Sequence, residues 1–249
     1  MKVNIPAVLL VFGLVLIQAQ EALAQPLPSI DLSVRPTDSP TEVVDSIKLL
    51  LLLTMLSLVP AFLVMMTSFT RIIIVLSLLR NAIGTPAVPA NQILIGLALF
   101  LTVFCMMPTF KEINDQAIVP YTQNQISQQE AQERGIEPLR DFMLRQTREK
   151  DLGLFINLAK VEQPAGLDDI PLHVVIPAFI ISELKTAFEI GFLLFVPFLV
   201  IDMVVASILM SMGMFMLPPI MISLPFKILL FIMVDGWYLV VKSLMESFR

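Results

Sequence analysis

The chain has 249 residues, of which 57% are hydrophobic and only 15% charged, with a mean hydropathy of +0.85 and a net charge of -5. A soluble domain carries nearly twice that share of charge, so this much apolar surface requires lipid or a large assembly to cover it. The acidic balance, without any basic run to neutralise phosphates, excludes nucleic acid as a partner.

Residues 1–24 read as a cleavable signal peptide. Lys2 supplies a minimal positive start, Val8 to Ile17 a short apolar core, and Ala22-Leu23-Ala24 an A-x-A site cut after Ala24. An uncleaved anchor is the alternative, but the core is short for a span and Pro26 and Pro28 follow at once. Residues 25–42, rich in Pro, Ser, Thr and Asp, predict a flexible lead-in.

Residues 43–108 predict a first helical hairpin. Leu49 to Met66 is long enough to span, with Pro60 as a kink, and it runs on into Ile72 to Leu79 between Arg71 and Arg80. Gly84, Pro86 and Pro89 stop the helix, and a second apolar stretch, Ile93 to Met107, ends at Pro108. The bend near residues 83–90 carries arginines and no acids, which places it in the cytoplasm, with both arginines as cytoplasmic-side anchors first and partner contacts second.

Residues 109–170 are polar, Gln-rich around 123–132 and more acidic than basic. Leu139, Phe142 and Met143, and then Leu152, Phe155, Ile156 and Ala159, fall at helical spacing, and Pro138 suits a first helical turn. They predict a small periplasmic insertion of short amphipathic helices.

Residues 171–249 predict C-terminal helical hairpins with a methionine loop. The apolar runs Ile190 to Ile201, Met203 to Leu217 and Ile228 to Val241 are broken by Pro197, Pro218-Pro219 and Pro225, so none is a clean twenty-residue span. Glu183, Lys185, Glu189, Asp202, Lys227 and Asp235 lie in or beside these runs. Each would cost roughly 2.5–3.5 kcal/mol at a bilayer centre, so many faces must be buried against other subunits, partly outside the hydrocarbon. The charges read first as structural ion pairs within or between subunits; Lys185 and Glu189 are spaced i,i+4. A proton relay through Glu183, Glu189, Asp202 and Asp235 is the alternative.

Met210, Met212, Met214 and Met216 alternate along the chain, which on one helix points neighbours about 200° apart and forbids a single stripe. With Phe215, Gly213 and Pro218-Pro219 in the same segment, the helix breaks here. Broken backbone at membrane depth is tolerated when buried in protein or lining a cavity. A ring of flexible methionines would make a compliant apolar seal; a Met-rich turn packed in a core is the plainer reading.

Enzymatic signals are absent. His173 has no partner nucleophile at a useful spacing, and no Walker A loop, G-x-G-x-x-G or H-E-x-x-H occurs. Cys105, the sole cysteine, sits in an apolar run and reads as a buried structural thiol, with no metal or cofactor site implied.

Two long stretches resemble the FliP/SctR family of type III export proteins. The first runs from Met66-Thr67-Ser68-Phe69-Thr70-Arg71 through Leu78-Leu79-Arg80, Gly84-Thr85-Pro86, Pro89 and Asn91-Gln92 to Gly96-Leu97-Ala98-Leu99-Phe100. The second runs from Pro177-Ala178-Phe179 through Ser182-Glu183-Leu184-Lys185, Gly191-Phe192, Pro197-Phe198-Leu199 and Ile201-Asp202, and continues past the methionines to Leu224-Pro225-Phe226-Lys227 and Val234-Asp235-Gly236-Trp237. The leader resembles the flagellar branch more than the virulence-secretion branch. The resemblance implies an all-α, multi-pass inner-membrane protein of the flagellar basal body, a homo-pentamer joined by FliQ and FliR in a helical export gate. FlhA, FlhB and the cytoplasmic ATPase complex would work with the gate, FliO would assist its assembly, and unfolded rod, hook and filament proteins would pass through it. It further implies that the methionine loop closes the pore, with Met214 and Met216 as gasket residues and Met210 and Met212 beside them. Phe215 stands where a third consecutive methionine is common, a stiffer choice that makes the expected seal either tighter or less compliant. The rival readings are an ion-coupled secondary transporter using Glu183, Glu189 and Asp202, for which no internal repeat is visible, and a virulence-secretion homologue. A membrane-embedded hydrolase lacks a nucleophile–base pair.

Overall fold

A computed structural model describes residues 40–160 and 166–248, which are helical and contain no strand. The expected signal peptide with Ala24 lies outside the described residues, as does the expected lead-in up to residue 39. The chain divides after Met55 into two units. Helix α1 (Pro40–Met65) begins in the first, whose stretch around residues 49–53 is all leucine; there Thr54 Oγ1 donates back to the Leu50 carbonyl at 2.8 Å. The remainder of α1 and everything after it form the second unit.

In that unit α2 (Phe69–Ile83) buries a full stripe, with Ile72, Val75, Leu76, Leu79 and Ala82 at helical spacing. It ends as expected at Gly84, whose left-handed backbone (φ 90°) lets its N–H reach the Asn81 carbonyl at 3.1 Å. Helix α3 (Asn91–Ile113) follows, then a π turn (Asn114–Ile118) and one further α turn (Val119–Thr122). Helices α4 (Gln128–Gln146) and α5 (Glu149–Ala159) are short and amphipathic, in line with the spacing of their apolar residues. Helix α6 (Leu172–Ser211) is 40 residues long, and α7 (Pro219–Met233) and α8 (Gly236–Glu246) complete the fold, bent by 65° at their junction.

Two apolar clusters hold the unit together. One gathers the α2 stripe with Leu94 and Ala98 of α3, Ala187 and Phe198 of α6, Phe231 of α7 and Val240 and Leu244 of α8. The other joins Met106, Phe142, Met143, Leu152 and the first turns of α6 at Val174, Val175, Ala178 and Phe179. Phe142 meets Phe179 edge-on at 5.9 Å between ring centres. The α2–α6 contact is close because position 191 has no side chain. A Cβ on Gly191 would lie 2.2 Å from Leu78 Cδ1 and 3.2 Å from Leu78 Cβ.

Four helix boundaries differ from expectation, and proline is the common reason. Helix α3 runs through Pro108 to Ile113, α6 runs through Pro197, and α7 runs through Pro225. A proline deletes one backbone hydrogen bond, but packing along a long helix can keep the axis continuous. Pro138, expected in a first turn, lies inside α4, which starts at Gln128 because Ser127 Oγ accepts from the Glu130 N–H at 3.2 Å. That Ser-x-x-Glu cap is the stronger start signal. The expectation that no C-terminal run spans is therefore corrected: at 1.5 Å per residue α6 is about 60 Å long, twice a hydrocarbon core of about 30 Å. Among the described residues two helical segments, Asn91–Thr122 and Leu172–Ser211, are long and apolar enough to cross a membrane, and α7 with α8 could form a third, bent crossing.

Candidate functional site

The methionine segment forms the apex of the α6–α7 hairpin. Helix α6 closes at Gly213, whose φ of 75° suits a residue without a side chain. The Gly213 N–H donates to the Met210 carbonyl and the Met214 N–H to the Leu209 carbonyl, each at 3.0 Å, a Schellman closure. The chain then turns through residues 214–217 before Pro218 and Pro219 start α7. Met210, Met212, Met214, Phe215 and Met216 are all exposed in the single chain, Phe215 at 79% and Met216 at 97%. The plainer expectation, a Met-rich turn packed in its own core, does not hold for this chain alone.

A charged clamp holds the hairpin below the loop. Asp202 of α6 pairs with Lys227 of α7 at 2.6 Å, and Ser223 Oγ donates to the same carboxylate at 2.5 Å. Lys227 is buried, and its Nζ also donates to the Ala82 carbonyl at 3.3 Å. That carbonyl belongs to the last turn of α2, where the helix dipole favours a cation. One lysine thus ties three helices together. Below the apex, α6 and α7 leave a wholly apolar hollow of about 430 Å³, with Val204, Ile208, Ile222 and Phe226 in its walls.

A second charge centre lies at Arg71, expected as a cytoplasmic-side anchor or a partner contact, but found buried within the chain with its side chain 2% exposed. Glu183, fully buried, receives Arg71 Nε on one oxygen at 3.0 Å and Nη2 on the other. Arg71 Nη2 also donates to Gln146 Oε1 at 2.9 Å, and Nη1 donates to the Ser247 carbonyl at 2.8 Å and its Oγ at 3.0 Å. The Phe248 ring covers the guanidinium, 3.9 Å from Cζ to the ring centre. The bidentate fork and spare donors of arginine suit this site, where lysine would leave acceptors unserved. A sequence signal for this burial existed: Arg71, Val75, Leu79 and Ala82 share one helical stripe. Arg80 is half-buried and holds the loop after α2, donating to the Pro89 carbonyl at 3.2 Å and Asn91 Oδ1 at 2.6 Å.

Beside Glu183, Ser182 donates to Asp151 Oδ2 at 2.6 Å, and Arg148 adds Nε and Nη2 at 2.9 and 2.6 Å. Burial pushes the Asp151 carboxyl up, but the Ser182 and Arg148 hydrogen bonds outweigh it and hold it below its ordinary value. This motif pins the start of α5 to α6. Neither Asp151 nor Ser182 was distinguishable from a surface polar residue in the sequence.

The other charges are placed differently. Lys185 and Glu189 pair at 3.4 Å on the exposed face of α6, and Asp235, with a left-handed φ of 52°, stands exposed at the turn before α8. His173 is exposed, and Cys105 is half-buried rather than fully enclosed.

The FliP family model matches residues 52–244. The flagellar biosynthetic protein FliP of Bacillus subtilis is 61% identical over 212 residues, covering 85% of this chain and 96% of that protein. Its namesake in Pectobacterium carotovorum is 60% identical over 203 residues, covering 82% and 79%, and that of Aquifex aeolicus is 56% identical over 208 residues, covering 83% and 87%.

Proposed function

The chain belongs to the FliP family, and on that premise we propose that it is a non-enzymatic channel subunit of the flagellar type III protein-export gate in the bacterial inner membrane. Five copies surround an axis, with FliQ and FliR completing the gate and FlhA, FlhB and FliO working beside it. Unfolded rod, hook and filament proteins pass along that axis. The closed pore is sealed by Met210, Met212, Met214, Phe215 and Met216.

The observation that carries this reading is the exposed sulfur-rich apex on a hairpin clamped by Asp202 and Lys227. A single chain gains nothing from presenting a run of apolar side chains to water, so a neighbour must cover them. Methionine is flexible and polarizable, so several copies can close on one another and still yield to a passing chain of varied shape. Gly213 and the double proline fix where the loop leaves the helices, so only its side chains need to move. The apolar walls of the hollow beneath the loop suit packing against further helices.

The rival transporter reading needs carboxylates free to exchange protons. Glu183 is held by Arg71 and Asp202 by Lys227, so both already have a structural partner. Replacing Met212, Met214 and Met216 together with alanine should leave assembly intact and make membranes leak small ions. Conductance unchanged in an intact complex overturns the seal.

A further inference from the structure

We propose that the methionine apex is an oxidation site: a water-borne peroxide converts Met212, Met214 and Met216 to sulfoxides, and the oxidised loop no longer closes the pore. The inference rests on the seal reading above and adds a chemical control to it. Exposure alone does not select these sulfurs, since Met203 on α6 is as open as Met212, at 65% against 63%. The backbone selects them. Met107 and Met203 sit on continuous helix, which supplies its own backbone hydrogen bonds and tolerates lipid around it. Among the described residues, the N–H groups of Phe215, Met216 and Leu217 donate to no partner. At membrane depth such backbone is tolerated only against protein or along a watery cavity, and the seal reading supplies the cavity. Water there carries the oxidant to the apex, while Met106 and Met143 stay buried out of its reach.

Oxygen transfer uses that water. The sulfur lone pair takes one peroxide oxygen as the O–O bond breaks, and the proton on that oxygen passes through water to the departing hydroxide. Sulfur loses two electrons, the peroxide gains them, and the products are one sulfoxide and one water. The new S–O bond turns a flexible apolar side chain into a polar one. Its oxygen is a hydrogen-bond acceptor, and the free N–H groups of Phe215, Met216 and Leu217 stand in the same turn to donate to it. A ring of such side chains holds water where the thioethers excluded it. Reductases return the sulfoxide to the thioether, so the change is reversible.

The experiment treats membranes containing the full-length protein and its partners with hydrogen peroxide, follows ion leak and maps sulfoxides by mass spectrometry. Its readout is the ratio of leak after treatment to leak before, each variant against itself. The wild-type ratio should be tenfold or more. Replacing Met212, Met214 and Met216 with leucine, an apolar side chain of like size without sulfur, should bring the ratio within twofold of unity. Met107→Leu combined with Met203→Leu should protect nothing. Across a peroxide series the wild-type leak should track sulfoxide at the apex, a measure that needs no variant. The inference is overturned if the apex stays unoxidised, if it is oxidised without a rise in leak, if the apex leucine variant responds as wild type does, or if the Met107 and Met203 replacements protect. The untreated alanine variant described above separates the two readings. Leak there, with none from oxidised wild type, sinks this inference alone; a tight alanine variant sinks the seal and this inference with it.

Discussion

Arg71 draws distant parts of the fold onto one side chain. Its partners come from α4, α6 and the C-terminal end, and Glu183 stands 112 positions away in sequence. A buried charge pair is weak as a source of net stability, because desolvation opposes the Coulomb gain. Removing one partner is another matter, since the survivor stays buried and uncompensated. Glu183→Gln should therefore destabilise by about 3–5 kcal/mol, read as a lower thermal midpoint of the purified protein. Adding Arg71→Met, which removes the stranded cation, should recover much of the loss; a double variant as unstable as the sum of the two singles would refute the pairing. Asp202 and Lys227 obey the same logic, but Asp202 is about a third exposed, so water can share its cost.

Among the elements, α6 decides the arrangement. It carries Ser182 and Glu183 near its start, Gly191 against α2, Asp202 further on and the methionine apex at its end. Its length also eases the problem of charge in the bilayer. A helix of about 60 Å has half its residues outside a hydrocarbon core of about 30 Å, so Glu183, Lys185 and Glu189 need not share the apolar slab with Asp202. Gly191 sets how near α2 comes. Gly191→Ala should force the helices apart and cost about 1–3 kcal/mol, the usual penalty of overpacking. Because the obstacle is Leu78, Leu78→Ala should restore the thermal midpoint of Gly191→Ala. No rescue would mean that the contact does not set the spacing.

For the whole molecule, the balance of covered and uncovered surface matters most. In the most apolar window of α6 only 11% of the residues are buried within the chain, and in that of Asn91–Thr122 28%. Outward residues such as Phe100, Phe104, Phe192 and Leu193 have no cover of their own. Lipid can cover the spans, but the exposed apex calls for protein neighbours. Extraction in mild detergent should yield a large hetero-oligomer carrying several copies of the chain. Recovery of a lone, stable monomer by light scattering would contradict a shared axis.

Much of this was legible in the sequence because it is local. Apolar periodicity over α2, the stops at Gly84 and Gly213, and the double proline before α7 act through neighbours a few residues away. They determined an all-helical chain with membrane-compatible spans and a broken methionine segment. Tertiary structure decided what local rules leave open: that helices pass through Pro108, Pro138, Pro177, Pro197 and Pro225, that Arg71 turns inward, and that Asp202 finds Lys227 and Ala82 together. A proline lowers helical stability by an amount that packing can offset, and a buried charge is tolerable only where a distant segment delivers its counter-charge. Both depend on which surfaces meet, and that is fixed only when the chain has folded.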